Sequence, residues 1–510
     1  MRAKRTRRVE TTPEFVTTTA MGYNQVGYPI ESPDSSPRSA NETMPRTLSE
    51  KKVTNVAEAV AKRQPTPTKR PTLSLSKNKV TNVAEAVAKS QLALNGHVLD
   101  DTNSLNDTSR YLGRDGHMYI GTSDWKALRE LYATPESRGK LVQLLDDIVT
   151  ENELVPPTRE IKRDEAIKSF QQLKALPEGD LLSTHRTESR FNYRQALGLL
   201  VVDSNLSGNL CGDYFFQSIR WDCKGGRAGS ANESWYDPKS RRAIFHHIID
   251  AEVDTVDRPR LRTHLGTRRF IPTSARPSVS KAIFDLYQPE SVLDLSFGWG
   301  ERMLGWEASK YGKSYYGIDP DKRVIEAGQS MHKLCRQTRK DVQLFCSPAE
   351  DFIYEALESE VDMIIFSPPP FNNERYCDEE TQAYKRYKNI NEFTKDFLEG
   401  TLVKAWDSLK VGGTLLLDLG DLKAPQRDSF GNATGGRYRM VDPLLRSLAN
   451  SLPDMVYRGT IGSGIGRPKA DSSFSKVRVD PIWVITKGRC DLARRGLFGS
   501  KTLKKLAATT

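Results

Sequence analysis

Several features are missing from this 510-residue chain. No apolar run approaches the roughly 20 residues that a membrane-spanning helix needs, so no membrane partner is predicted. The stretch MRAKRTRRVETT at the start has no apolar core of the kind that a secretory signal requires. We therefore expect an intracellular protein, and the sequence leaves nucleus or cytoplasm open.

Cysteine is sparse, and no two cysteines form a CxxC pair. The six positions are Cys211, Cys223, Cys335, Cys346, Cys377 and Cys490. Free thiols in a reducing compartment are the expectation. Cys211 and Cys223, with the adjacent pair His246 and His247, supply ligand types that zinc accepts. Their spacing fits no common ligand pattern, so no metal site is predicted.

Positive charge is concentrated at the two ends of the chain. The net charge is +11, with +8 in residues 1–90 and +6 in residues 487–510, which leaves about −3 for the rest. Residues 1–90 and 489–510 are predicted to be disordered basic tails, because they are polar and lack periodicity. Basic tails attract phosphate backbones without sequence preference. Nucleic acid is the predicted partner, and a merely solubilising role is the alternative.

Removing residues 1–90 and 488–510 is expected to weaken nucleic-acid binding. It should also flatten the dependence of log Kd on log salt, because fewer counterions are released from the phosphates. Folding should survive, since these segments bury little surface. Titration of both proteins with a duplex at several salt concentrations measures the two slopes. Identical slopes would place the binding surface in the central part of the chain.

The N-terminal region contains an exact repeat. KVTNVAEAVAK occurs at Lys52–Lys62 and again at Lys79–Lys89, with a period of 27 residues. Val53, Val56 and Val60 fall on one face of a short helix. The linker RQPTPTKRPTLSLS is proline-rich and extended. Two identical motifs on such a tether predict a bivalent docking element for a protein partner, and a duplication with no binding role is the alternative.

Two kinds of periodicity divide the remaining chain. Residues 110–262 carry helical apolar spacing, which predicts a mainly helical accessory domain. The predicted helices there lie at Trp125–Tyr132, Leu141–Thr150, Ile161–Leu176 and Arg241–Ala251. The aromatic stretch Phe215–Trp221 reads as a strand or a buried turn. From 263 to 488 short apolar runs alternate with helical segments, which predicts an α/β domain. Its predicted strands lie at 291–296, 314–319, 342–346, 361–366, 413–419, 455–461 and 481–487.

The segment Ser291–Pro320 is the most informative. It reads as a buried strand, a glycine turn, a helix and a second strand that ends at Asp319. Ligands of open α/β sheets bind outside the carboxyl ends of the strands. An acid roughly 20 residues past the turn can accept hydrogen bonds from ribose hydroxyls. One residue separates Gly298 from Gly300, so GxGxxG is absent. A nucleoside cofactor is therefore favoured over a dinucleotide, and a turn without a ligand is the alternative.

A second motif follows the predicted strand Val361–Phe366. The residues SPPPF at 367–371 resemble the (Asp/Asn/Ser)-Pro-Pro-(Tyr/Phe) motif of amino-methyltransferases. Together with DLSFGWGER at 294–302 and GIDP at 317–320, the chain is similar to class I S-adenosylmethionine-dependent methyltransferases. Phage-type DNA N4-cytosine/N6-adenine amino-methylases are the nearest group. The resemblance covers roughly 263–488. It implies a seven-stranded Rossmann-like α/β sheet, S-adenosyl-L-methionine as cofactor and a base amine as target.

The resemblance also assigns roles to individual residues. Ser367 and the carbonyl of Pro368 would accept the amine protons, Pro369 would stiffen the turn, and Phe371 would stack on the base. Phe371 stands one position later than the family's aromatic, because Pro370 occupies that place. The predicted cofactor residues are Thr273 for the methionine carboxylate, Asp294 for the glycine turn and the methionine amine, Gly298 and Gly300 for close backbone approach, Asp319 for the ribose, Ser347 for the adenine ring, and Glu350 for the adenine amine.

Three functions stay open at this point. A DNA amino-methyltransferase is favoured, because it has the most similar motifs. An RNA methyltransferase, acting on a cap or an internal base, is the second. A methyltransferase-like scaffold, recruited through the repeats and tails, is the third. The presence of Asp294, Asp319 and Ser367 favours an enzyme over a scaffold.

Overall fold

A computed structural model describes residues 104–183, 200–201, 205–225, 229–336, 340–423, 437–452, 454–464 and 479–488. Both predicted tails and the two repeats lie outside these residues. None of the helices in the described ranges combines the length and the apolar character that crossing a bilayer requires.

Seven α-helices lie in the described residues up to Arg268. In chain order they are α1 (Thr122–Leu131), α2 (Pro135–Glu151), α3 (Arg163–Lys174), α4 (Asn209–Asp222), α5 (Ala231–Tyr236), α6 (Pro238–Asp250) and α7 (Arg258–Arg268). The apolar spacing predicts α1, α2, α3 and α6. The strand or turn expected at Phe215–Trp221 is wrong, because this stretch lies inside α4. Packing overrides aromatic β-propensity here, since the Phe216 and Phe297 ring centroids lie 6.4 Å apart.

Side chains of this helical region belong to two cores. Trp125, Trp235 and Phe245 lie in one cluster, which α1, α2 and α5 to α7 share. Phe170 of α3 and Phe216 of α4 instead pack in a cluster with the sheet and its helices. The accessory segment therefore contributes side chains to both cores, and a domain boundary near 262 stays a prediction.

Seven strands form the body of the main sheet. They are β1 (Ser291–Asp294), β2 (Ser314–Asp319), β3 (Asp341–Cys346), β4 (Val361–Phe366), β5 (Leu409–Asp418), β6 (Met455–Gly464) and β7 (Val479–Lys487). Their spatial order is β3-β2-β1-β4-β5-β7-β6, and two short strands, Leu182–Ser183 and Leu200–Val201, extend the sheet beyond β6. Strands β1 to β5 pair in parallel, and β7 runs antiparallel to both neighbours. The predicted seven-stranded Rossmann-like methyltransferase sheet is confirmed.

Helices cover both faces of this sheet. They are α8 (Pro277–Tyr287), α9 (Glu301–Ala308), α10 (Lys322–Cys335), α11 (Ala383–Arg386), α12 (Ile390–Glu392), α13 (Gly400–Trp406) and α14 (Val441–Ser451). A π-helical segment, Phe393–Glu399, leads into α13. Because the central strands are buried on both faces, they read as continuous apolar runs in the sequence. All four residues of β1 are buried.

Candidate functional site

A cavity of about 550 Å³ opens at the carboxyl edge of the parallel strands. Because β7 runs antiparallel, its first residues reach the same edge. Seven of the predicted site residues line this cavity: Thr273, Gly298, Asp319, Glu350, Ser367, Pro368 and Pro369. Four others lie outside its lining: Asp294, Gly300, Ser347 and Phe371. The predicted cofactor side and the predicted catalytic motif therefore face one space.

Asp319 ends β2 beside the glycine turn. The Gly298 amide donates to Asp319 Oδ2 at 2.9 Å, and the Asp321 amide donates to Oδ1 at 2.9 Å. Gly298 holds φ +58°, which favours glycine. Burial raises the pKa of Asp319 to about 7. Each oxygen of this carboxylate can accept another hydrogen bond, so the two oxygens can bind two neighbouring hydroxyl groups of a ligand.

Gly300 has a different reason for being glycine. It holds φ +68°, and an added Cβ would lie 2.6 Å from Met331 Cε and 3.0 Å from Phe216 Cε2. The residue caps the start of α9 and allows α4 and α10 to pack closely. Its placement follows from packing rather than from approach to a ligand.

Asp294 lies fully buried beneath the turn. Arg302 Nε donates to its Oδ2 at 2.8 Å, and the Tyr315 hydroxyl donates to the same oxygen at 2.5 Å. The Ser296 amide donates to Oδ1 at 3.2 Å. Burial, with Asp294 alongside, raises the pKa of Tyr315 well above its usual range. Asp294 thus anchors the turn through protein donors, and no pattern in the sequence indicates Arg302 or Tyr315 as its partners.

Glu301, which the sequence did not single out, offers a free acceptor. Its Oε1 accepts from the Ala275 amide at 3.3 Å, while Oε2 is buried without a hydrogen-bond partner among the described residues. Burial raises the pKa of this carboxyl. A buried acceptor left unpaired costs free energy. Since Glu301 lines the cavity, a ligand donor such as an ammonium group fits there.

Acidic side chains outnumber basic ones in the cavity lining. Seven carboxylates line it: Glu301, Asp319, Asp321, Glu350, Glu374, Asp418 and Asp480. Two guanidinium groups, Arg276 and Arg302, lie in the lining, and Arg323 and Arg386 pair with Asp321 and Glu350 from outside it. Such a lining favours a ligand with cationic groups. S-adenosylmethionine, with a sulfonium and an ammonium against one carboxylate, fits this charge.

Glu350 follows β3 in the chain and lines the cavity. Its Oε1 accepts from the Tyr387 hydroxyl at 2.8 Å and pairs with Arg386 at 3.1 Å. Burial raises the pKa of this carboxyl. Ala349 lines the cavity beside it, whereas the Ser347 hydroxyl donates to the backbone of its own turn at 3.0 Å. Of the residues predicted for the adenine ring, Glu350 and Ala349 face the cavity.

Ser367 follows β4 at the same edge. Its amide donates to Ser296 Oγ at 2.9 Å, which ties the SPPPF turn to the glycine turn. Asp418, the last residue of β5, follows Leu417, the register partner of Phe366, and lines the same cavity. Burial and the neighbouring Asp480 raise the pKa of Asp418 to about 6. An acid that ends an apolar strand was the only signal for Asp418 in the sequence.

Phe371 lies in the core, away from the cavity. It is 5% exposed, holds φ +52° and packs on Phe393 with ring centroids 5.2 Å apart. Trp299 and Tyr376 line the cavity instead and meet edge to face, with centroids 5.6 Å apart. With three prolines in the turn, the aromatic one position later points into the core. Phe284 and Phe397 line the cavity as well, so its aromatic surface is made without Phe371.

The cysteine and histidine residues considered for zinc do not converge. Cys211 Sγ lies 3.5 Å from Cys335 Sγ, and the Nδ1 atoms of His247 and His264 lie 2.9 Å apart. Across the described ranges, no group of three or more His, Cys, Asp or Glu side chains is arranged to hold a metal ion.

No family model and no curated protein matches the sequence. Among solved structures, an rRNA methylase from Streptococcus thermophilus is 13% identical, with 43% of this chain and 100% of that chain covered and a TM-score of 0.25. An S-adenosylmethionine-dependent O-methyltransferase from Thermotoga maritima is 13% identical, with 43% of this chain and 68% of that chain covered and a TM-score of 0.27. A tRNA m1G37 methyltransferase from M. jannaschii is 12% identical, with 41% of this chain and 48% of that chain covered and a TM-score of 0.24.

At these identities a likeness concerns the fold alone, and substrates do not follow from it. The strand order and the antiparallel β7 define the fold independently of these scores. The chain has the class I S-adenosylmethionine-dependent methyltransferase fold.

Proposed function

We propose that this chain is an S-adenosylmethionine-dependent methyltransferase that methylates an exocyclic base amine in nucleic acid, with DNA as the favoured substrate. The observation that carries the proposal is the single cavity that Asp319 and Ser367 share. One side offers acceptors for a nucleoside cofactor, and the other offers a stiff, polar turn for the target. The choice of DNA rests on the resemblance of SPPPF to the motif of DNA amino-methylases.

The cavity residues suit the cofactor part by part. Asp319 would accept from the ribose hydroxyls, and Glu301 Oε2 from the methionine ammonium. Ala349 and Glu350 would flank the adenine, and Thr273 would hold the methionine carboxylate. The cofactor supplies an electrophilic methyl group on its sulfonium. The protein's part is to orient that group and to exclude water.

An exocyclic amine needs activation, because its lone pair is delocalised into the base. Ser367 Oγ and the Pro368 carbonyl can accept its two protons and so favour a pyramidal nitrogen with a localised lone pair. Prolines restrict the backbone, so these acceptors are held in place before the substrate arrives. The base must leave its duplex stack to enter the cavity. Trp299 and Tyr376 offer it an aromatic surface there.

Helix α7 provides a basic approach to the cavity. It contains four arginines and no acidic residue. Arg258 and Arg260 pair with nearby aspartates, while Arg262 and Arg268 form no ion pair within the described ranges. From Arg268 the chain runs five residues to Thr273 at the cavity. Unpaired arginines at this position suit phosphate contacts.

The cofactor assignment predicts that Asp319→Ala weakens S-adenosylmethionine binding by about 1.5–3 kcal/mol, the scale for hydrogen bonds to a charged acceptor. Isothermal titration of both proteins measures this difference. Asp341→Ala is the control. Asp341 is an exposed aspartate at the opposite end of the parallel strands, so this variant should bind the cofactor as wild type does. Absence of binding heat with the wild-type protein would contradict the cofactor assignment.

The substrate is tested by mass spectrometry of nucleosides from DNA and RNA incubated with the protein and methyl-labelled cofactor. Labelled N4-methylcytosine or N6-methyladenine in DNA supports the proposal. Label in RNA alone would show that the chain is an RNA methyltransferase instead. Cofactor binding without label in either polymer would favour the scaffold.

A further inference from the structure

Tyr376, one of the aromatic side chains offered to the base, is fixed at two points. Its hydroxyl donates to Glu374 Oε2 at 2.6 Å, and its backbone carbonyl accepts from Arg323 at 3.1 Å. Between these points its ring meets Trp299 edge to face. An aromatic ring that is held in place before its ligand arrives loses less freedom on binding, so both anchors favour stacking.

Two side chains reach the Tyr376 carbonyl. The Cys223 Sγ atom lies 3.5 Å from it, but the same thiol lies nearer, at 3.3 Å, to the Ile219 carbonyl. A thiol is a weak donor with a single proton, whereas a guanidinium is charged and carries five N–H donors. Arg323 is therefore the main donor to this carbonyl.

The loop before Tyr376 has a separate attachment. Glu374 and Arg375 form a short antiparallel ladder with Lys224 and Gly225, which follow α4. This ladder ends one residue before Tyr376. The backbone of Tyr376 itself is thus held by the guanidinium and not by the ladder.

The guanidinium of Arg323 is in turn oriented by aspartates. Its Nε donates to Asp321 Oδ1 at 3.1 Å, and a terminal nitrogen donates to Oδ2 at 2.7 Å. That same nitrogen reaches the Tyr376 carbonyl. The other terminal nitrogen lies 3.8 Å from Asp222 at the end of α4. A two-point contact with a carboxylate fixes the plane of a guanidinium, which a lysine cannot reproduce.

Asp321 connects this arginine to the cofactor side of the cavity. Its amide donates to Asp319 Oδ1 at 2.9 Å, and the Gly298 amide donates to Oδ2 at 2.9 Å. Gly298 precedes Trp299, which meets the Tyr376 ring, so these contacts close a ring around one edge of the cavity. Tyr376 is thereby placed relative to the turn expected to hold the cofactor. Methyl transfer needs such a fixed distance between base and cofactor.

We infer that Arg323 is a positioning residue for methyl transfer, which holds Tyr376 where the target base stacks. The inference rests on the proposed function and extends it to a residue that acts through Tyr376. Among the described residues that line the cavity, Arg323 is absent. Its effect therefore needs no contact with the base or the cofactor.

The test is a double-mutant cycle on kcat/KM for denatured DNA of mixed sequence, at saturating S-adenosylmethionine. RNA of mixed sequence takes its place if the label enters RNA alone. Tyr376→Ala should lower kcat/KM roughly 10- to 100-fold, the scale for loss of one base–aromatic stack. Arg323→Gln should lower it about fivefold, the scale of one hydrogen bond. If Arg323 acts through Tyr376, the double variant matches Tyr376→Ala alone.

Two further variants separate positioning from charge. Arg323→Lys keeps the positive charge without the planar fork, so it should lose activity as Arg323→Gln does. Lys322→Ala removes the neighbouring charge in the same turn of α10, where Lys322 pairs with Glu326 on the exposed surface, and should behave as wild type does. Full activity in Arg323→Lys, or an equal loss in Lys322→Ala, would show that charge alone matters and would overturn the inference.

Isothermal titration of the cofactor accompanies each variant. Its Kd should stay within about threefold of the wild-type value (~0.65 kcal/mol), because the contacts of Asp319 come from backbone amides. Multiplied losses in the double variant, or loss of the cofactor in Arg323→Gln, overturn the inference and leave the proposed function standing. A wild-type enzyme that methylates neither DNA nor RNA overturns both.

Discussion

Ser367→Ala is expected to lower methyl transfer roughly 10²–10³-fold, the scale for loss of one preorganised polar group that stabilises a transition state. The substitution removes the acceptor for an amine proton. The cofactor side should be unaffected, because the Ser367 contact with Ser296 uses the backbone amide. Single-turnover transfer of a labelled methyl group measures the rate, and isothermal titration measures cofactor affinity.

Ser330→Ala is the matched control for this loss. Its hydroxyl lies on the exposed face of α10 and donates to the backbone carbonyl of Glu326 in the same helix, so transfer should stay at the wild-type rate. Full activity in Ser367→Ala would contradict the amine mechanism. An oxygen or carbon target would then explain the cavity better.

Arg241→Ala is expected to destabilise the helical region by about 3–5 kcal/mol, because it leaves a buried aspartate without its main partner. Arg241 Nε donates to Asp146 Oδ1 at 2.6 Å, and the two side chains are 5% and 3% exposed. The remaining guanidinium nitrogens donate to the Trp235 carbonyl at 2.7 Å and to Thr150 Oγ1 at 2.8 Å. Truncation therefore removes the whole bonding of this buried group.

Arg242→Ala provides the comparison, since Arg242 binds the other oxygen of the same Asp146 at 2.7 Å but is 45% exposed. Its loss should cost about 1 kcal/mol or less, because solvent screens an exposed pair. Denaturant unfolding followed by tryptophan fluorescence measures both variants, since Trp235 lies in the affected cluster. Equal losses in the two variants would refute a special role for the buried arginine.

The sheet could be predicted because its strands are buried on both faces and therefore appear as short, continuous apolar runs. The position of Asp319 could be predicted for a similar reason, since it depends only on local order along the chain: strand, glycine turn, helix and strand. Its two amide donors come from residues close to that pattern. Local patterns are the part of the fold that a single sequence specifies most directly.

The rest of the site depends on contacts between distant parts of the chain and on single torsion angles. Ser367 and Asp418 are 51 residues apart and meet only because β4 and β5 are neighbours. The sequence places Phe371 beside the prolines, but its positive φ turns the ring into the core. Tyr376 reaches the cavity through a loop that no periodicity describes. Our proposal therefore assigns the stacking on the base to Tyr376 instead of Phe371.

The surplus of carboxylates around the cavity has a consequence for turnover. Methyl transfer converts a sulfonium into a neutral thioether, and the proton then leaves, so the reaction itself removes one positive charge from the cavity. The same acidic lining that attracts the charged cofactor holds the spent cofactor less tightly. An enzyme built this way would distinguish fresh from used cofactor by charge, and each catalytic event would loosen its own product.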